Sequence, residues 1–403
     1  MSSASPPMAN QTDAELERPA FGAIVESLPD PVLVIAAREA ENLADRRVIY
    51  ANPAARELLR IQGEGTTLVS AIRHPRVLEA VDESLFGEVS GEAAYETGGA
   101  QDRFWRVRTR PLDRALDGAH LALMVLRDET DSRRNERMRA DFLANASHEL
   151  RTPLASLTGF IETLRGHAKD DALARERFLG VMAAQAGRMA RLIDDLMSLS
   201  RIELNEHIAP EGRVDLVLAV LDVIDALTPL AAERGVTLST RLAARGSAMI
   251  VGDRDQILQV AQNLIDNAVK YSPNNGVVEI ELTAGLTADE AITPTRQGGA
   301  RLSLLSPDLV GGERFVMLRC ADAGPGIARE YLPRLSERFY RVEGQKSGER
   351  LGTGLGLAIV KHITNRHRGG LAIESVEGQG TTFTAYFPGC YRVCCKPCHK
   401  TVI

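Results

Sequence analysis

Apolar residues between positions 128 and 207 recur in steps that are mostly of three and four, the spacing of a helix with one apolar seam. The seam positions are Leu143, Leu150, Leu154, Leu157, Ile161 and Leu164, then Leu179, Met182, Ala186, Met189, Ile193 and Leu196. The polar stretch "AKDDA" (168–172) interrupts the pattern and predicts a turn between two antiparallel helices. Each helix of such a hairpin leaves its seam half covered, so the pattern predicts a homodimer in which two hairpins form a four-helix bundle.

Residues 21–127 show the pattern of strands instead. The stretches "DPVLVIAA" (30–37) and "RRVIYAN" (46–52) are rich in β-branched residues, "FWRVRTRPL" (104–112) alternates, and "HLALMVLRDET" (120–130) runs from a strand into a charged helix. A short helix is expected from position 52, with Asn52 as its N-cap and Pro53 at its first position. These elements predict a small mixed α/β domain.

Residues 208–388 alternate between strand-like and helical segments, with an insert at 285–313 that we expect to form a surface hairpin or loop. The whole chain is therefore expected to be a multidomain α+β protein. We expect a disordered leader at 1–20, the α/β domain at 21–127, the hairpin at 128–207, a second α/β domain at 208–388 and a tail at 389–403.

Composition narrows the class of protein. A length of 403 residues suggests two to four domains, and a formal charge of −6 argues against nucleic-acid binding. The chain has no apolar run of about 18 residues, the length that a membrane span needs. Its first 20 residues lack the basic and apolar segments of a signal peptide, so a cytoplasmic location is expected.

Cysteine usage is uneven. Cys320 stands alone in a strand-like stretch and is expected to be a core residue. The tail carries Cys390, Cys394, Cys395, Cys398 and His399. Thiolates and imidazole bind zinc, but a single short cluster lacks the second ligand pair of a zinc module, so an accessory tail is the favoured interpretation.

His148 lies outside the apolar seam. If Leu150 and Leu154 occupy positions d and a, His148 falls at b, which faces solvent, with Glu149 beside it. Pro153 removes the amide donor that would bond the carbonyl of Glu149 and loosens the helix there. A neutral imidazole is a nucleophile, and an adjacent carboxylate can accept its proton. An inert surface histidine remains the alternative.

The stretch "QILQVAQNLIDNAVKYSP" (256–273) places polar residues on one helix face. Asn263 and Asn267 are four residues apart, and Lys270 and Tyr271 follow. Two amides, a cation and an aromatic ring suit a metal-bound triphosphate and a base. A solvent-facing amphipathic helix is the alternative.

Two glycine-rich stretches add to this pattern. In "DAGPGI" (322–327), Gly324 and Gly326 permit a tight turn, and Asp322 suits an exocyclic amine, although a surface turn would look the same. In "GTGLGLAIVKHI" (352–363), three glycines precede a helix whose first amides can hold phosphate. A dinucleotide fingerprint is the competing interpretation, but it leaves the other two motifs unexplained.

The segments "SLPDPVLVI", "VIYANPAARELL" and "LRDET" resemble a PAS sensor domain, with a generic α/β dimerisation module as the alternative. The stretch "FLANASHELRTPLASLTGFIETL" (142–164) closely resembles the dimerisation and phosphoacceptor segment of bacterial sensor histidine kinases. That resemblance implies that His148 is phosphorylated and that Glu149 is the base. It also implies that Thr152 orients water when the kinase dephosphorylates its partner regulator.

The three motifs of residues 256–363 resemble the N, G1 and G2 boxes of the Bergerat-type α/β sandwich that binds ATP, and "LPRLSERFYRVE" (332–343) resembles its F box. The resemblance implies ATP and Mg²⁺ as cofactors, with Asn267 and Asn263 as magnesium ligands. It places Lys270 and Arg341 on phosphates, Tyr271 near the nucleoside and Asp322 on the adenine amine. The remaining ATP-site residues that it implies are Gly324, Gly326, Gly352, Thr353, Gly354, Leu355 and Gly356, with residues 343–352 as a lid.

The F and G2 boxes look most like those of phosphate-regulon sensor kinases, which implies a PhoB-type response regulator and phosphate-starvation signalling. The implied reaction is autophosphorylation of His148 from ATP, transfer to an aspartate of the regulator, and its later dephosphorylation. The alternatives are a PAS scaffold that only binds partners and a Bergerat-type ATPase without histidine phosphotransfer. The ATPase would be expected to carry a glutamate base at position 263, where an asparagine stands.

Overall fold

The computed structural model describes residues 22–61, 63, 65–97, 103–115, 117–166, 169–206, 208–296, 298–307, 312–342 and 352–390. The chain forms two compact units, Met1–Asp141 and Phe142–Ile403. The expected leader at 1–20 and the tail from residue 391 lie outside the described residues. Among the described helices, none combines the length and the apolar character that crossing a membrane requires.

The first unit contains a five-stranded antiparallel sheet in the order β2-β1-β5-β4-β3. Its strands are β1 Val32–Ala37, β2 Arg47–Ala51, β3 Gly91–Thr97, β4 Arg103–Leu112 and β5 His120–Asp128. Its helices are α1 Pro53–Leu59, α2 Leu68–Ala71 and α3 Pro75–Phe86, with a 3₁₀ turn at Leu43–Asp45. The predicted cap is confirmed, because the buried Asn52 side chain accepts the amide of Ala55 at 3.0 Å and Pro53 opens α1.

Two long helices, α4 Thr130–Arg165 and α5 Ala172–Leu204, form the predicted hairpin. Asp171 caps α5 by accepting the amide of Ala174 at 2.9 Å. The seam side chains Leu143, Leu154, Ile161, Leu179 and Ile193 are exposed in the single chain. The sequence pattern missed a second apolar face on α5, where Leu192, Leu199 and Ile202 are buried in the core of the α/β domain that follows.

That second α/β domain is built on a six-stranded sheet in the order β10-β12-β13-β11-β9-β7, in which only the β7–β9 pair is parallel. Its strands are β7 Thr237–Leu242, β9 Val277–Leu286, β10 Ala300–Leu305, β11 Phe315–Ala321, β12 Gly370–Val376 and β13 Gly380–Pro388, and β6 Arg213–Asp215 pairs with β8 Met249–Val251. Three helices, α6 Leu216–Glu233, α7 Arg254–Tyr271 and α9 Gly356–Arg366, cover one face. Cys320 is buried in this core as predicted, and burial raises the pKa of its thiol to about 12.

The prediction of a surface hairpin or loop for the insert was wrong. Strand β9 continues to Leu286, a short helix α8 Ala288–Ala291 follows, and β10 is an edge strand paired antiparallel with β12. The physical reason is a second small core on the sheet face opposite the helices, where Ala291 packs with Phe315, Met317 and Tyr386. A 3₁₀ turn at Arg329–Arg334 follows β11.

Candidate functional site

A cavity of about 430 Å³ opens between α7, the turn after β11, the start of α9 and helix α5 of the hairpin. The predicted ATP-site residues that line it are Asn263, Asn267, Lys270, Tyr271, Asp322, Gly326, Arg341, Gly352, Thr353, Gly354 and Gly356. Two predicted residues lie behind its wall. Gly324 packs beneath the carbonyl of Tyr271, and the side chain of Leu355 is fully buried in the core.

Helix α7 presents its polar face to the cavity because its apolar residues are buried on the other side. Asp253 caps the helix by accepting the amides of Asp255 and Gln256. One turn of helix separates Asn263 from Asn267, so both side chains reach the cavity. The Nδ2 group of Asn263 donates to the carbonyl of Gln259 at 2.9 Å, which leaves its Oδ1 atom available to a ligand.

Lys270 carries its ammonium group in a partly buried position at the cavity wall. Its pKa is lowered to about 8, mainly by burial and also by the cation of Arg341, while nearby Asp266 opposes the change. The ammonium nitrogen lies 5.4 Å from the centre of the Tyr271 ring. Two neighbouring cations at one end of the cavity make that end suited to a polyanion.

Asp322 is the buried carboxylate of the cavity, with 6% of the residue exposed. Its Oδ1 atom accepts the amides of Gly324 at 2.8 Å and Thr381 at 3.2 Å, while Oδ2 accepts no bond from the described residues. Burial raises the pKa of this carboxyl, and the two backbone bonds oppose the rise. A fixed carboxylate with one oxygen available suits a donor such as an aromatic amine.

Two glycines of the cavity wall cannot be replaced by other residues without strain. Gly326 has φ of +71° and packs directly against the carbonyl of Val376. Gly354 has φ of +74°, and a Cβ atom there would lie 2.9 Å from the Cα atom of Phe339. Gly326 lets the turn after β11 pack against the end of β12, and Gly354 lies just before the first turn of α9, whose free amides suit phosphate oxygens.

Helix α4 of the hairpin contacts the cavity wall through Glu149. Its Oε2 atom accepts a bond from Arg341 at 3.2 Å and another from Arg188 of α5 at 3.3 Å. Arg341 also donates to the carbonyl of Gly352. His148, the neighbour of Glu149, is exposed as predicted. The residue beside the candidate nucleophile is therefore joined to the cavity within the same chain.

Sequence reasoning missed the contribution of α5 to the cavity, which consists of Arg188, Arg191, Asp194 and Asp195. The Oδ2 atom of Asp195 accepts the hydroxyl of Thr353 at 2.7 Å, and burial raises the pKa of this carboxyl. The sequence did carry a signal for this contribution, because these charged residues recur at helical spacing outside the seam. A search for apolar periodicity does not detect such a pattern.

Two further predictions, the role of Thr152 and the lid at 343–352, stay predictions. The hydroxyl of Thr152 donates to the carbonyl of His148 at 3.3 Å, which is the ordinary bond of a helical threonine. Its role toward water stays a prediction. Residues 343–351 of the expected lid lie outside the described residues.

Three family models match the chain. Residues 252–389 match the histidine kinase-, DNA gyrase B- and HSP90-like ATPase family, which implies ATP binding. Residues 138–205 match the His Kinase A (phospho-acceptor) domain, and residues 21–90 match a PAS domain. The three matches follow the order in which the PAS-like domain, the hairpin and the ATP-binding domain were expected.

Among its relatives, the chain is 35% identical over 347 residues to the phosphate regulon sensor protein PhoR of Pseudomonas aeruginosa, covering 85% of this chain and 70% of that protein. It is 31% identical to the sensor-like histidine kinase SenX3 of Mycolicibacterium smegmatis, covering 68% of this chain and 63% of that protein. It is also 31% identical to the sensor histidine kinase WalK of Bacillus subtilis, covering 66% of this chain and 39% of that protein. By these family models and by its identity to these sensor kinases, the chain belongs to the bacterial two-component sensor histidine kinases.

Proposed function

We propose that the cavity binds Mg–ATP and that His148 receives its γ-phosphoryl group. The observation that carries the proposal is the bond between Arg341 and Glu149, because it joins the phosphate end of the cavity to the residue beside an exposed histidine. Lys270, with a pKa of about 8 and lying in the same wall, supplies the second cation for phosphate.

The reaction forms a bond between a ring nitrogen of neutral His148 and the γ-phosphorus and breaks the bond between that phosphorus and the β–γ bridging oxygen. ADP departs with the electron pair, and Glu149 accepts the proton from the other ring nitrogen. Arg341 and Lys270 offset the negative charge that spreads over the phosphoryl oxygens in the transition state. The bond from Arg341 to Oε2 weakens the Glu149 carboxylate as a base, so transfer of this guanidinium to phosphate oxygens would strengthen the base when ATP binds.

The residues of α7 fit a magnesium ion. Amide oxygens are hard donors, and Asn263 and Asn267 offer two of them on one face of the helix. Magnesium keeps waters and substrate phosphates as its other ligands, so a set of only two protein oxygens is sufficient. When bound there, the ion would supply positive charge that offsets the charge of the phosphates.

We further propose that the phosphoryl group passes to an aspartate of a separate response regulator. The similarity to a phosphate regulon sensor protein favours a PhoB-type regulator and a role in phosphate-starvation signalling. A hydrolytic ATPase is disfavoured, because Asn263 stands where such an enzyme would need a glutamate base and an amide cannot remove a proton from water.

The test is labelling with γ-labelled ATP. His148→Gln should abolish acid-labile, base-stable label while leaving ATP affinity within about twofold of wild type, because the histidine lies outside the cavity wall. The matched control is His120→Gln, which replaces a histidine of the first unit in the same way and should label normally. Labelling of His148→Gln at the wild-type level would refute the assignment of the phosphoacceptor.

We also propose that Thr152 aligns a water against the aspartyl phosphate of a docked regulator. It follows His148 by four residues, hence about one helical turn on the same face. Thr152→Ala should keep autophosphorylation and slow the loss of phosphate from the regulator by about tenfold. If the purified variant clears phospho-regulator as fast as wild type, the bond from Thr152 to the His148 carbonyl is its whole role.

A further inference from the structure

The insert is fastened to the sheet through a buried cation. Arg319 projects from β11 on the face opposite the helices, with 12% of its side chain exposed. Its guanidinium donates to the carbonyls of Ala291 at 3.1 Å and Thr293 at 3.2 Å, and it pairs with Glu281 at 3.1 Å. These bonds fix the chain that leaves α8. We name residues 287–296 the clip.

A buried anion fixes the end of the clip. Glu374 of β12 is 7% exposed, and its carboxylate accepts the amide of Thr295 at 3.0 Å, the hydroxyl of Thr295 at 3.1 Å and the amide of Arg296 at 2.9 Å. A carboxylate withdrawn from water needs such donors, so the position of the Arg296 backbone is closely specified.

The side chain of Arg296 then reaches the end of the strand that carries Asp322. It donates to the carbonyl of Asp322 at 2.5 Å, to the carbonyl of Gln379 at 2.7 Å and to the hydroxyl of Thr382 at 3.0 Å. Thr381, next to Thr382, supplies one of the two amides that hold the Asp322 carboxylate. One guanidinium thus ties together the backbone of Asp322 and the strand that positions its side chain.

Arg296 is not among the residues that line the ATP cavity, so it acts on the site through what it holds, namely the backbone of Asp322 and the strand that carries Thr381. Its positive charge also acts on the carboxyl of Asp322. Burial raises the pKa of that carboxyl, and Arg296 is one of the groups that lower it. The bonds hold the carboxylate of Asp322 in position at the cavity wall, and the charge of Arg296 favours its ionised form.

We propose that Arg296 is a positioning residue for adenine recognition, by which the clip holds Asp322 in the geometry that accepts the amino group of the base. The inference rests on the proposed function, because it takes Asp322 as the residue that binds adenine. It makes the insert part of the nucleotide site, and removing the guanidinium should weaken the bond to the amino group more than the contacts to phosphate.

The test compares two nucleotides on the full-length protein by titration calorimetry: ATP, and purine riboside 5′-triphosphate, which lacks the amino group. Arg296→Ala should weaken ATP binding by about tenfold and binding of the amine-free analogue by less than about twofold, as expected for loss of one positioned hydrogen bond. Arg296→Lys keeps the positive charge and should recover part of the preference for ATP over the amine-free analogue. Arg245→Ala is the matched control, since that arginine is exposed in the loop between β7 and β8 and is not among the residues that line the cavity.

The pH dependence of ATP binding provides a second test. With Arg296 replaced by alanine, the acid limb of ATP binding should move to higher pH, because Asp322 loses a cation that favours its ionised form. If Arg296→Ala weakens the binding of ATP and of the analogue in equal proportion, so that the preference for ATP is unchanged from wild type, the inference is overturned. If wild type itself shows no preference, the assignment of Asp322 to adenine fails instead.

Discussion

Lys270 lies in the cavity wall, and its charge depends on what occupies the cavity. Burial opposes its ammonium form and lowers its pKa to about 8, and Arg341 adds to this effect. A triphosphate would favour the ammonium form, so the pKa of Lys270 must rise when ATP binds. Below about pH 8 the lysine is already charged and binding needs no proton. Above that pH the protein must take up a proton in order to bind.

We therefore expect the affinity for ATP to fall as the pH rises from about 8 to 9.5, by at most about tenfold per unit. The phosphates of ATP do not titrate in this range. Calorimetry at pH 9 in two buffers of different ionisation enthalpy should show proton uptake by wild type. Lys270→Met should bind more weakly and without this uptake, whereas Lys169→Met, at an exposed position of the hairpin turn, should behave as wild type. Wild-type binding with no proton uptake at pH 9 would contradict the placement of Lys270 on phosphate.

At the scale of elements, helix α5 has two apolar faces with different partners. Leu192 and Leu199 are buried in the core of the ATP-binding domain, while Leu179 and Ile193 are exposed on the seam. The heptad spacing in the sequence identified the seam. It could not identify the second face, because apolar periodicity shows which side chains avoid water but not which element covers them.

The burial of Leu199 can be tested by measuring the stability of a variant protein. Leu199→Ala removes a fully buried side chain and should lower the free energy of unfolding of the second unit by about 2–5 kcal/mol in urea titrations. Leu173→Ala is the control on the same helix, because Leu173 is 87% exposed, and it should change that free energy by less than about 0.5 kcal/mol. Equal effects of the two substitutions would show that α5 does not pack on the domain as described.

A sequence pattern does not show tertiary contacts, and this limit also decides which cavity residues could be predicted. Asn263, Asn267, Lys270 and Asp322 were identified because each lies in a short motif whose spacing has a local physical meaning. Arg188, Asp195 and Arg296 belong to no such motif, and each acts on residues that are distant in the sequence. Their roles depend on tertiary contacts, so only the folded chain reveals them.

At the scale of the whole molecule, the exposed seam indicates that a second copy of the chain covers it. Leu143, Leu154, Ile161, Leu179 and Ile193 are between 44% and 65% exposed along the two helices of the hairpin. A continuous apolar stripe of this kind is unfavourable in water, and a second hairpin with the same stripe covers it by symmetry. We therefore propose that the protein is a homodimer through a four-helix bundle.

Aspartate substitutions in the seam should dissociate the dimer. In the bundle, Leu157→Asp combined with Ile193→Asp would bury four unpaired charges per dimer, and each buried charge costs several kcal/mol. Light scattering should then show the mass of one chain for the double variant and of two chains for wild type. Leu173→Asp, at an exposed position off the seam, should leave the dimer intact. An unchanged mass for the double variant would mean that the hairpins do not pair through this seam.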